Sequence, residues 1–263
     1  MKHPFLEVTN GRAVQMSEMP LLAFDTFRQA GLDLVQAGAR VVQFFAFKTP
    51  DSCLQMCGVY RLDSRLFAGL SLAPDAYDSL TPACEPFHLF EREIAEQFGI
   101  RPKGHPWLKM VRYHPNQTDA QDVFGNDYSQ DIPGNYPYYQ VDGDEIHEVA
   151  VGPVHAGVIE PGHFRFNCIG ERVLHLEIQL GYQHRAVERL LDAVPAKRLA
   201  NVVENIAGDT TIGHSLCYAQ AVEALTGTRP DQGAATLRVI ALELERLANH
   251  IGDLGALSGD VAF

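Results

Sequence analysis

What the 263-residue chain has little of narrows its class first. Its five cysteines are scattered at Cys53, Cys57, Cys84, Cys168 and Cys217, and no two form a C-x-x-C pair. That excludes a disulfide framework and the common zinc motifs, and it predicts reduced, mostly buried thiols. Cys53 and Cys57 flank an apolar, strand-like run, which assigns them to packing rather than to a metal. No run of eighteen or more apolar residues occurs, so no helix is expected to span a bilayer. The N-terminus, M-K-H-P-F-L-E-V-T-N, lacks the apolar segment of a signal peptide, and a cytoplasmic location is expected. Gly-rich phosphate loops, a G-x-S-x-G elbow, H-E-x-x-H and a dinucleotide fingerprint are all missing, so NAD or NADH has no motif to bind. Basic residues are outnumbered, 21 against 33 acidic ones, and the net charge of −12 argues against nucleic acid or an anionic membrane surface as a direct partner.

What is present is ordinary for a folded protein, with 46% hydrophobic and 21% charged residues. The length allows one large domain or two ordinary ones, each with its own core. Residues 1–115 read as a mixed α/β unit. Pro20 fits a first helical turn, with Leu21, Phe24 and Phe27 following at helical spacing. Val41–Phe47 is β-branched and aromatic and too short for a helix, so it reads as a strand; Leu54–Tyr60 and Leu66–Leu72 read likewise. Glu85-Pro86 leads into a helix over F-H-L-F-E-R-E-I-A-E-Q-F, with Gly99 as its C-cap. Residues 116–147 are rich in Asn, Asp, Gly, Pro and Tyr, hold no sustained period, and read as a linker with turns. In the second unit, Phe164–Cys168 and Val173–Leu180 read as strands joined through I-G-E-R in a hairpin. Helices are then expected over Ala196–Asn205, Ser215–Thr226 and Asp231–Leu254. The last carries an apolar stripe through Leu237, Ile240, Leu244, Leu247 and Ile251. The fold class is α+β.

Glu91 to Lys109, E-R-E-I-A-E-Q-F-G-I-R-P-K-G-H-P-W-L-K, holds neither a nucleophile–base pair nor a ligand cluster. Ile94 and Phe98 pair at i, i+4, and G-H-P reverses the chain. The stretch resembles the E-R-E-x-x-D-x-F-G-I-x-x-x-G-H-P-x-L-R signature of the smaller, C-type subunit of complex I's peripheral arm. Glu96 takes the aspartate place and Lys109 the arginine place. The resemblance implies docking and structural roles, with Glu91, Arg92, Glu93 and His105 as the residues concerned.

Val151 to Phe166, V-G-P-V-H-A-G-V-I-E-P-G-H-F-R-F, sets Glu160 and His163 three apart on a Gly/Pro turn. A carboxylate and an imidazole so placed can pass a proton; a capped turn with a cross-hairpin histidine is the structural alternative. The stretch resembles the G-P-[IV]-H…E-P-G-H-F-R pattern of formate-hydrogenlyase-type hydrogenase large subunits. It is similar, more distantly, to the D-type subunit of complex I, whose G-P-x-H-P segment helps line the quinone pocket. The resemblance implies a proton-relay role for Glu160 and places His155 at the G-P-x-H histidine. G-Y-Q-H-R-A-V-E-R-L matches an element common to both families, G-x-x-H-R-G-x-E-K-L, with Ala186 in the glycine place. Arg185 there is either an anion clamp or part of a solvated helix face.

Glu204 to His214, E-N-I-A-G-D-T-T-I-G-H, resembles the first metal motif of [NiFe]-hydrogenase large subunits, E-R-x-C-G-x-C-x-x-x-H. Glu204, Gly208 and His214 keep the frame, but Asn205 replaces the arginine, and Ala207 and Thr210 stand where the cysteines would be. Alanine has no donor atom, and a hydroxyl does not replace a soft thiolate on nickel. Cys217 lies off the ligand positions and is assigned to the core. Leu242 to Gly255 matches the shared E-L-E-R-x-x-x-H-x-x-x-L-G helix, so Glu245, Arg246 and His250 either reach the former cavity or form a surface ion pair.

Together these motifs resemble the N-terminal part of a group 4, formate-hydrogenlyase-type [NiFe]-hydrogenase large subunit or a fused complex I C–D subunit. The implied layout is a C-type α/β domain over 1–115, the linker 116–147, and over 148–263 the N-terminal portion, a β-hairpin plus helices, of a large-subunit-like helical domain. The implied role is a subunit of an oxidoreductase complex, in proton-coupled electron transfer beside a partner's iron–sulfur cluster, or else a redox-inactive docking piece. Glu160, His163, His155 and His214 are the catalytic candidates. No cofactor is expected on this chain and nickel is not expected; a [4Fe–4S] cluster would belong to a B-type small subunit. Membrane subunits and a quinone are further implied partners, and the location implied is peripheral, at the inner face of the cytoplasmic membrane. Large subunits of the family run on to a second cysteine pair, so a truncated product or one piece of a split subunit is expected.

Overall fold

The computed structural model describes residues 3–113, 116–117, 122–125, 138–155 and 159–263. They fall into two compact units, 1–137 and 138–263, a mixture of sheets and helices.

The first unit is a five-stranded sheet with helices packed on it. Its strands are β1 (Leu6–Val8), β2 (Leu21–Leu22), β3 (Arg40–Lys48), β4 (Leu54–Leu62) and β5 (Arg65–Leu72), in the order β1-β5-β4-β3. All pair antiparallel except β2, which lies parallel to β5. Helix α1 (Phe24–Gln36) therefore starts later than Pro20 implied. The Pro20 carbonyl accepts from Leu70 N–H at 2.9 Å and Leu21 pairs with Leu70, so sheet pairing overrides the helical spacing of the leucine. The core is aromatic: Phe27, Phe44, Tyr60 and Phe87 are fully buried with Met56, Leu80 and Ile94. Phe27 stacks on Phe44 at 6.0 Å, and Phe44 meets Phe87 edge-on at 5.0 Å. Gly31 is required by this packing, since a Cβ there would lie 2.4 Å from the Tyr60 hydroxyl. The short strand β6 (Ala76–Asp78) pairs in parallel with β7 (Arg101–Lys103), and between them runs α2 (His88–Phe98). Gly99 ends α2 at φ +69°, the left-handed cap its position announced.

Of the linker expected over 116–147, residues 118–121 and 126–137 lie outside the described set. Gln117 N–H donates to the Gln97 carbonyl, and Val123 N–H to that of Ala95, so these pieces run along α2. Tyr139 N–H donates to Glu177 and Val141 N–H to Asn167, within the second unit.

That second unit opens with β8 (Ile146–Val151), which the sequence did not announce. It pairs antiparallel with β9 (His163–Ile169), which pairs with β10 (Arg172–Gln179) through the expected hairpin. Helices α3 (Val187–Ala193), α4 (Leu199–Val203), α5 (Thr211–Thr226) and α6 (Gln232–Asp260) follow. The helix expected over 196–205 is shorter, a 3₁₀ turn at Ala196–Arg198 leading into α4. No residue of α5 or α6 is buried, and the α6 stripe is open, with Leu237 67% and Ile251 70% exposed. Burial of the cysteines is also less than expected: Cys57 and Cys168 are buried and Cys84 half-buried, but Cys53 and Cys217 are exposed. Cys53 stands at the turn before β4, and Cys217 rides on α5, which offers no buried position. No described helix is long and apolar enough to cross a membrane.

Candidate functional site

In the first unit the charged residues of α2 point inward. Glu91 is fully buried, and its carboxylate accepts from Leu80 N–H at 2.8 Å, from Thr81 N–H at 3.1 Å, and from the Ser79 and Thr81 hydroxyls. Arg92 donates through Nε to the Lys109 carbonyl and through a terminal nitrogen to that of Met110, both at 2.7 Å. Glu96, also fully buried, collects the N–H groups of Val111, Arg112 and Tyr113. Such charge-assisted bonds are about twice as strong as neutral ones. Glu91 and Arg92 thus clamp the chain on both sides of α2, and a partner would not reach them directly. Glu93 is half-buried and pairs with Arg112 at 3.0 Å. His105 bonds the His88 carbonyl, and Trp107, which the sequence reading passed over, stacks on His88.

The second unit holds the histidine turn. The Gly152–Pro153 peptide is cis, and Gly162 N–H donates to the Pro153 carbonyl at 3.0 Å. His155 Nε2 lies 2.7 Å from the Gly162 carbonyl, and His163 Nδ1 lies 3.3 Å from that of Gly152. A carbonyl only accepts, so each ring places a proton on the nitrogen named. That leaves His163 with a bare Nε2, buried and without a hydrogen-bond partner among the described residues. The ring is 8% exposed and sits 5.2 Å from that of Tyr138, over which the Arg165 guanidinium lies at 4.5 Å. Arg165 also bonds Glu148 at 2.9 Å. Burial, and then a hydrogen bond with Tyr182, push the Tyr138 phenol up to about 12. Gly152, at φ +86°, has no room for a side chain, because a Cβ would stand 2.2 Å from the Gly162 carbonyl oxygen. Glu160 is exposed, and residues 156–158 just before it lie outside the described set.

His214 belongs to a separate network. Its Nδ1 lies 2.8 Å from Thr210 Oγ1 and 2.9 Å from the Thr210 carbonyl. The Thr210 hydroxyl is therefore already engaged. Glu245 of α6 accepts from Ile212 N–H at 2.6 Å and from Gly213 N–H at 3.1 Å, capping α5 from outside. Asn249, one turn on, donates to the Asp209 carbonyl at 2.7 Å. Of the three α6 residues singled out by sequence, Glu245 reaches the loop, Arg246 pairs with Glu243 at 3.3 Å, and His250 is exposed. Arg185 is spent on backbone, donating to the carbonyls of Asn205 and Ile206. Beside it opens a cavity of about 440 Å³, lined also by Leu190, Arg198, Asn201 and Asn205. Ala186 sits at φ +52°, which explains a glycine at this place in the motif it resembles. No described hydrogen bond or ring contact joins His214 to His155 or His163. Among the described residues no three of His, Cys, Asp and Glu gather as metal ligands.

Residues 41–121 match the family described as respiratory-chain NADH dehydrogenase, 30 Kd subunit. Hydrogenase-4 component G of Escherichia coli (strain K12) is 30% identical over 71% of this chain and 35% of its own length. Formate hydrogenlyase subunit 5 of the same organism is 28% identical over 68% and 33%. The C/D subunit of NADH-quinone oxidoreductase from Bdellovibrio bacteriovorus is 27% identical over 67% and 35%. The chain spans about a third of the length of these relatives. Its 30 Kd domain, and similarity that extends well beyond that domain, support a place in the family of hydrogenase large subunits and complex I C/D subunits.

Proposed function

We propose that the chain serves as a peripheral-arm subunit of a membrane-associated oxidoreductase of the complex I and hydrogenase kind, taking part in proton-coupled electron transfer beside a partner's iron–sulfur cluster. The observation that carries this reading is the buried, bare Nε2 of His163 on a turn that also bears Glu160 and His155. An imidazole can accept and pass on a proton, and this nitrogen has no hydrogen-bond partner among the described residues to compete for it. Glu160, exposed at the mouth of the turn, would exchange it with solvent or with a partner. An iron–sulfur small subunit and membrane subunits are the partners this reading requires, with a quinone or another molecule as the acceptor.

Nickel is not part of the proposal. Ala207 presents a methyl group, and the Thr210 hydroxyl is shared with His214 at 2.8 Å. These positions do not fit a thiolate-bound nickel, and no step is routed through one.

A second reading, a redox-inactive docking piece, draws support from the open apolar face of α6. Turnover of the assembled complex separates the two. Under the first, Glu160→Gln and His163→Gln each lower turnover by at least ~10²-fold while assembly persists, since a positioned acid or base contributes about that much. Undiminished turnover in both variants leaves the docking reading standing.

A further inference from the structure

In the first unit the turn after β7 closes on a single imidazole. His105 Nδ1 receives the Trp107 N–H at 3.0 Å, while its Nε2 lies 3.2 Å from the His88 carbonyl. A backbone N–H only donates and a carbonyl only accepts, so both bonds exist together only when the ring is neutral with its proton on Nε2. A proton added at Nδ1 would set N–H against N–H at hydrogen-bond distance.

The surroundings disfavour that cation as well. The Arg92 guanidinium lies 4.7 Å from the centre of the Trp107 ring and Lys109 Nζ 5.6 Å from it. His88 stacks on Trp107 at 5.7 Å and faces His105 at 5.4 Å. The acidic neighbours are committed elsewhere or lie at the edge. Glu91 is engaged with Ser79, Leu80 and Thr81, Glu93 with Arg112, and Glu85 stands at the 3₁₀ turn before α2. Burial holds the His105 imidazole below its ordinary value, with Arg92 acting the same way and the His88 carbonyl and Glu91 opposing.

We propose that His105 is a proton-operated latch: neutral, it holds Trp107 against His88 and Arg92; protonated, it releases the Trp107 N–H and the turn opens. The latch is shut at neutral pH and opens as pH falls below the ordinary histidine value of 6.5. Release frees the indole, already 37% exposed with the latch shut, from His88 and Arg92 and adds to its exposure as an acid-dependent surface.

Trp107 is the only tryptophan in the chain, so its emission reports this turn alone. The test follows acrylamide quenching and the emission maximum of the full-length chain from pH 8 to pH 5, with far-UV circular dichroism confirming that the fold persists. The wild type is expected to gain roughly twofold or more in quenching, with a midpoint below 6.5. His88→Gln keeps the transition. His105→Asn, whose Oδ1 can accept the Trp107 N–H but does not titrate, flattens it. A wild type without the transition overturns the proposal. So does persistence of the transition in His105→Asn, or its loss in His88→Gln alone. If His105→Asn fails to fold, the ring nitrogen shifts of wild-type His105 at pH 8 decide instead, because a proton found on Nδ1 rules the latch out.

Discussion

Ala186 holds a backbone conformation, φ +52° and ψ 40°, that costs a non-glycine residue about 1–2 kcal/mol. Replacing it by glycine relieves that cost and returns part of it as unfolded-chain entropy. Ala186→Gly is therefore expected to stabilise the chain by about 0.5–1 kcal/mol, read as an upward shift in the urea midpoint. The thiols give a second check. Burial pushes the Cys57 thiol up to about 11, so at pH 8 only on the order of one in a thousand is ionised. Cys53 and Cys217 are exposed and should alkylate first, with Cys57 at least ~10²-fold slower by peptide mapping. Nickel content is a third. The chain, co-expressed with hydrogenase maturation proteins, should hold no stoichiometric nickel, and about one nickel per chain by elemental analysis would falsify the reading of Ala207 and Thr210. At this scale sequence was most informative where a residue breaks a pattern, as Ala186 does. It was least informative where a side chain's partner lies far along the chain. Nothing around Glu91 in sequence says that its carboxylate folds inward onto Ser79, Leu80 and Thr81 rather than outward toward a partner.

At the scale of elements, α2 works as a two-sided clamp. Glu96→Ala removes the acceptor for three consecutive N–H groups and should cost roughly 3 kcal/mol or more, since each part-buried donor left unpaired costs about 1–3. Amide exchange should accelerate first at Val111, Arg112 and Tyr113, the three donors; unchanged protection there would refute the clamp. Helices α5 and α6 are held by Arg238, which donates to both Glu223 oxygens at 2.6 and 3.1 Å. Those bonds hold the Glu223 carboxyl below its ordinary value. A carboxyl so lowered contributes its stability above the unfolded-state value and loses it as pH falls through the folded one. Acid should thus loosen this helix pair, and Glu223→Gln should remove that part of the pH dependence. Long periodic or β-branched runs, β3 to β5, α2 and α6, were legible because local pattern and packing agree. Strands β1, β2, β6, β7 and β8 were not, because two to six residues carry too little period and their pairing partner decides. Asp231 illustrates the same divide: its cap on Ala234 N–H is written three residues away, whereas the Glu245 cap on α5 comes from 33 residues downstream.

For the whole molecule, the contrast lies between a unit with a filled aromatic core and one whose two longest helices, α5 and α6, bury no residue. Each α6 side chain left in water forgoes roughly 1.5–3 kcal/mol, against a typical domain margin of about 5–15. The second unit should therefore be cut by protease well before residues 3–113, and the purified chain should self-associate as its concentration rises. Equal resistance of both units in a concentration-independent monomer would contradict this.

Glu245 and Asn249 grip the Asp209–Gly213 loop from α6, the same rod that carries Leu244, Leu247 and Ile251. A helix rises about 1.5 Å per residue and barely stretches, so it moves as one piece. A slide of α6 by two residues, roughly 3 Å, would take both side chains out of hydrogen-bond reach together. The apolar stripe and the Asp209–Gly213 loop are in effect two ends of a single lever.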